Sequence, residues 1–161
     1  MPYNQNMYQP NSSDPSNIKI TNVVMSLPSL SEKLRLNEID VHPNNFVDYY
    51  WEVGKMSRLI EAILLRIPLP VFYFDVSNPY KWVSIDGFQR LRTIIFFMEN
   101  RFYLKDMEIL IHLNNCNYQQ LDSMYKRILY DTQIITYQVE AQTPPLLREV
   151  IFKKIRDMNA N

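Results

Sequence analysis

The sequence predicts an α+β domain, and three features carry that expectation. Residues 54–67 repeat apolar side chains (Met56, Leu59, Ile60, Ile63, Leu64, Ile67) at the three-and-four spacing of one helical face. Short runs rich in β-branched and aromatic residues, 71–76, 81–85 and 133–139, read as strands. The segments follow one another as helix, hairpin, helix, strands, helix, strand, helix, without the regular alternation of a doubly wound parallel sheet.

Each element has its own justification. Residues 1–17 hold Pro2, Pro10 and Pro15 among Asn, Gln and Ser. Such a stretch cannot bury enough apolar surface to offset its ordering entropy, so a flexible polar arm is expected, with one domain over 18–161. A short helix is expected over 30–36, capped by Ser29 or Ser31, then a short strand over 38–42 ended by Pro43. Pro68 and Pro70 stop the helix of 54–67. Residues 71–76 and 81–85 form a hairpin through the turn Ser77-Asn78-Pro79-Tyr80. A helix over 88–99 buries Leu91, Ile94, Ile95 and Met98. Residues 102–104 and 107–113 read as extended, 118–129 as helix, 133–139 as strand and 145–158 as a last helix.

Composition bounds the function. The 17 basic and 17 acidic residues cancel, so nucleic-acid binding requires a local patch rather than a general basic coat. The single Cys116 excludes an internal disulfide, and with His42 and His112 it gives no zinc pattern. No protein-held metal cluster is expected. Residues 1–10 are polar and lack the apolar run of a signal peptide, and no stretch approaches the ~20 apolar residues of a membrane span. A cytoplasmic, reducing setting is expected.

The chemically pointed segment is Ile85-Asp86-Gly87-Phe88-Gln89-Arg90-Leu91, where a strand feeds a helix. The first turn of a helix offers backbone N–H groups and partial positive charge to an anion. With only two glycines in the chain, Gly87 stands out as a place where a ligand can approach the backbone. Arg90 can fork onto phosphate oxygens, and Thr93 follows Gln89 by one turn. The same residues have a structural reading. Asp86 and Gln89 match a capping box, and Arg90 can pair with Asp86 or Glu61.

The run from Arg58 through Glu61 to Pro68-Leu69-Pro70, followed by Asp86-Gly87-Phe88-Gln89-Arg90-Leu91, resembles the N-terminal domain of GmrSD-type modification-dependent restriction enzymes. That family shows L-I-E-S-I-L-L-G-I-P-I-P, a hairpin and D-G-x-Q-R-L. The resemblance covers about residues 38–158 and implies a ParB/sulfiredoxin-like fold, a small mixed sheet flanked by helices. It implies a site binding a nucleoside triphosphate or DNA phosphate, with nucleotide hydrolysis or DNA nicking. Asp86, Gln89 and Arg90 would be catalytic, and Gly87, Phe88, Arg90 and Thr93 would hold phosphate. Glu61 and Arg58 would support them, and Mg²⁺ would arrive with the nucleotide. The chain departs from the pattern at Phe46-Val47, where the family has Gln-Arg, and at Ile151-Phe152-Lys153-Lys154-Ile155-Arg156, where it has I-F-x-R-I-N. These departures favour a rival expectation, a non-catalytic module that binds a protein partner of a restriction or defence system.

Overall fold

The computed structural model describes residues 14–40 and 50–160. Residues 1–13 of the expected arm, His42, Pro43 and Phe46-Val47 lie outside the described residues. The elements are β1 (Ile20–Ser26), α1 (Leu27–Arg35), β2 (Ile39–Asp40), α2 (Val53–Leu64), β3 (Phe72–Asp75), β4 (Trp82–Asp86), α3 (Phe88–Met98), α4 (Ser123–Asp131), β5 (Gln133–Val139) and α5 (Pro145–Asn159), with one-turn 3-10 helices at Pro15–Asn17 and Ile111–Leu113. The α+β class is as expected.

One mixed five-stranded sheet runs in the order β1-β5-β3-β4-β2. β1 lies antiparallel to β5 and β3 antiparallel to β4, while β5 with β3 and β4 with β2 are parallel. One face carries the main core, where Phe72 and Phe74 of β3 and Ile134 of β5 meet Leu30 of α1, Ile60 and Ile63 of α2, Leu91, Ile94 and Phe97 of α3, and Leu129 of α4. The other face is covered by α5, whose Ile151, Phe152 and Ile155 pack on Tyr73, Ile85 and Val139. A sheet with apolar residues on both faces must be covered twice, and this division of helices does so.

Several expected boundaries moved, for identifiable reasons. β1 was not anticipated. Its exposed face mixes Ile20 and Val24 with Asn22 and Ser26, so no clean apolar–polar alternation marks it, and its partner β5 is more than a hundred residues away. The first helix begins at Leu27 because the Ser26 hydroxyl accepts from the Ser29 amide at 3.2 Å, making Ser26 the cap in place of Ser29 or Ser31. The expected helix over 118–129 starts only at Ser123. Asn117 and Gln120 each accept the other's main-chain N–H, which commits that stretch to a turn. Residues 102–104 and 107–113 are not strands.

α2 ends at Leu64, three residues short of expectation, and leaves Ile67 exposed. Arg66 takes φ 60°, with its amide bonded to the Ile63 carbonyl and the Ile67 amide to Ala62. That is a Schellman closure, which ordinarily falls to glycine. Asn37 and Asn100 close α1 and α3 in the same way, and asparagine tolerates the conformation better than arginine. Arg66→Gly is therefore expected to stabilise the fold by about 0.5–1 kcal/mol, the relief of left-handed strain exceeding the added unfolded-state entropy. Thermal denaturation should show the midpoint rising by about 2 °C.

Candidate functional site

β4 delivers Asp86 to the edge of the main core, and the residue before it is irregular. Tyr73 pairs with Asp86 but Phe74 pairs with Ser84, so Ile85 is an extra residue in β4. A bulge of this kind re-aims the side chains beside it. Gly87 follows at φ 104°, ψ 5° and is the N-cap of α3, with no side-chain cap. The capping-box expectation is thereby corrected: Gly87 occupies the position given to Asp86.

The reason for glycine here is packing as well as conformation. A Cβ at residue 87 would lie 2.5 Å from Phe72 Cδ1 and 3.2 Å from an Arg90 guanidinium nitrogen. Gly87 lets the turn sit directly on the Phe72 ring. Gly87→Ala combines a left-handed backbone with that clash and is expected to cost about 2 kcal/mol, measured by chemical denaturation.

Arg90 reaches back beneath the turn. Its Nη1 donates to the Pro70 carbonyl. Its Nη2 donates to the Val71 carbonyl at 3.1 Å and to Asp86 Oδ2 at 3.3 Å. The guanidinium carbon stands 4.2 Å from the Phe72 ring centroid. Only 12% of the Arg90 side chain and 25% of Asp86 remain exposed. Burial raises the Asp86 carboxyl above its ordinary value, opposed by the Arg90 charge and the Gly87 amide. Arg90 thus ties the start of β3 to the start of α3, with Asp86 as its counter-charge.

The remaining expected residues divide. Gln89 Oε1 accepts from the Trp51 amide at 3.3 Å, joining α3 to the segment that enters α2. The Thr93 hydroxyl donates to the Gln89 carbonyl at 2.8 Å and is buried, so it faces the helix and core rather than an anion at the turn. Glu61 does not orient Arg90. Its carboxylate accepts from the Glu108, Ile109 and Leu110 amides at 3.1, 2.7 and 2.7 Å. Three consecutive N–H groups committed to one carboxylate cannot enter a ladder, which is why 107–113 is a loop and not a strand. Arg58 lies 3.8 Å from Glu52, both well exposed, a pair of small energetic weight.

No protein-family model, characterised protein or solved structure matches the chain. The site's own geometry therefore carries the functional argument.

Among the described residues no group of three or more His, Cys, Asp or Glu is placed to hold a metal ion, and no helix is long and apolar enough to cross a membrane. The feature that sequence reasoning missed lies on the outer side of α3. The Arg92 guanidinium carbon stands 3.6 Å from the Tyr50 ring centroid and 4.1 Å from that of Phe96. Arg101 lies 3.6 Å from the same Phe96 ring. Beside it, Lys55 Nζ is 4.4 Å from the Trp51 ring. The signal was the four-residue spacing of Arg92 and Phe96, which places a cation over a ring on one helix face.

Proposed function

We propose that this chain acts by binding rather than by turnover, and that Asp86-Gly87-Phe88-Gln89-Arg90 is a structural staple. The observation that carries this reading is Arg90, which donates to two main-chain carbonyls and Asp86 while its guanidinium stands over Phe72. With three of its five N–H donors so committed and 12% of the side chain exposed, this guanidinium is placed to hold the fold rather than to clamp a phosphate. The departures at Phe46-Val47 and Lys154 point the same way. The partner class that the resemblance to GmrSD-type N-terminal domains suggests is nucleic acid, with a restriction-system protein as the rival.

A second reading keeps chemistry at the turn. Asp86 is a quarter exposed and its carboxyl is raised by burial, the condition of a group able to exchange a proton. Hydrolysis of a panel of nucleoside triphosphates with Mg²⁺, with and without DNA, separates the two. The binding reading expects no turnover by the wild type. Turnover that disappears in Asp86→Ala at an unchanged melting temperature would establish the second reading instead.

A further inference from the structure

We propose that the ladder Tyr50, Arg92, Phe96, Arg101, extended by Lys55 over Trp51, binds single-stranded nucleic acid. This rests on the reading that the chain acts by binding, and it gives that binding a place and a ligand class.

The ladder alternates cations and rings along one side of α3. Stacking holds a guanidinium by its face, and its N–H donors point outward in the plane, where they can fork onto phosphate oxygens. Among the described residues no carboxylate lies within ion-pair distance of Arg92 or Lys55. Arg101 has one, Glu99 at 3.5 Å, and Glu52 beside Trp51 is engaged with Arg58, Lys105 and the start of α2. Arg92 and Arg101 share a single ring, so two like charges are held close together at the surface. An anion lying across both relieves that repulsion, which a structural role alone leaves in place.

The shape selects the ligand. From Gln89, which holds Trp51, to Phe96, onto which Arg101 turns back, the strip follows α3 for roughly 10 Å, at about 1.5 Å per helical residue. That is a track rather than a cup, suited to a linear polyanion over a compact triphosphate. It is one helix wide in a protein of zero net charge, whereas a duplex presents two backbones and calls for a broad basic face. The half-buried rings of Tyr50 and Trp51 carry Arg92 and Lys55 on their faces, so a strand lying on the strip meets cations already held in place by aromatic rings.

The test is fluorescence anisotropy with a short labelled oligothymidylate, the matching duplex, and ATP as competitor, at low and raised salt. The wild type should bind the single strand in preference to the duplex, weaken as salt rises, and resist ATP. Arg92→Gln with Arg101→Gln should lower affinity roughly tenfold or more, since each removes a phosphate contact. Arg101→Glu, a change at an exposed position, should do so with the melting temperature unchanged, and Arg127→Gln on α4 should have no effect. Failure of the wild type to bind, equal binding of duplex, displacement by ATP, or indifference to the ladder substitutions would each overturn the proposal. Nucleotide turnover would overturn the staple reading and leave the ladder result standing.

Discussion

Arg90→Ala is expected to destabilise the fold by about 3–5 kcal/mol, as removal of one partner from a largely buried ion pair does. The substitution leaves two carbonyls at the entrance to β3 without their donor and strips a planar cation from Phe72. Lysine should rescue little, because a point charge cannot serve two carbonyls and a carboxylate with one fork while lying flat on a ring. The loss should also depend on pH. Asp86 binds its proton more tightly in the folded state, its carboxyl being raised by burial against the pull of Arg90 and the Gly87 amide. Its ionised form therefore opposes folding once pH exceeds the folded value, and the opposition is gone below the ordinary 3.8. Without Arg90 the opposition grows, so the deficit of Arg90→Ala should be largest near neutrality and shrink in acid. Adding Asp86→Asn to Arg90→Ala should recover about 1 kcal/mol near neutrality, measured by urea denaturation. A deficit that does not change with pH would show that Asp86 is not the counter-charge.

Glu61→Ala should cost a comparable amount, about 3–4 kcal/mol, through a different route. Glu61 is 5% exposed and its carboxylate is the acceptor for three successive amides of the loop over 105–113. The Ser57 hydroxyl accepts from the Lys105 amide at 3.0 Å, and Asn114 Oδ1 from the Met107 amide at 3.1 Å, so the loop is pinned at several points. Burial raises the Glu61 carboxyl, but the amides of Leu110, Glu108 and Ile109 lower it more, and it ends below the ordinary 4.5. The sign is then the reverse of Asp86. The stabilisation from Glu61 is complete above the unfolded value and is lost as pH falls through the lowered folded one. Amide hydrogen exchange should show protection of Ile109 and Leu110 persisting at neutral pH and failing well below pH 4.5. In Glu61→Gln, which keeps one acceptor oxygen and no charge, protection should be partial and independent of pH.

What the sequence made legible follows from the range of the interactions involved. The helices α2, α3 and α5 and the hairpin β3–β4 were readable because apolar period, proline stops and the Asn78-Pro79 turn are local signals. β1 was not, since its pairing is set by a partner far along the chain. Residues 107–113 were misread as extended because nothing in their own sequence announces Glu61, a carboxylate on another element. A glutamate among isoleucines on a buried helix face was the available clue, since such a group must find donors somewhere. At the turn, residue types were read correctly and their partners only in part: the Asp86–Arg90 pairing was anticipated, whereas the carbonyls of Pro70 and Val71 come from a segment no motif includes.

The pairing of β1 with β5 has a consequence for how the molecule is made. β1 leaves the ribosome first among the strands, yet the strand it pairs with, which also lies between it and β3, comes last. At about 5–20 residues per second, that interval is on the order of ten seconds during which β1 has no partner. Met25 and Leu27, destined for the core, stay uncovered for the same time. An N-terminal fragment ending before Gln133 would keep that condition permanently, as an unpaired strand edge open to association with other chains. Completion of the sheet is thus an event of late synthesis, and Asn22 and Ser26 interrupt the exposed face that Ile20 and Val24 would otherwise make apolar on the waiting strand.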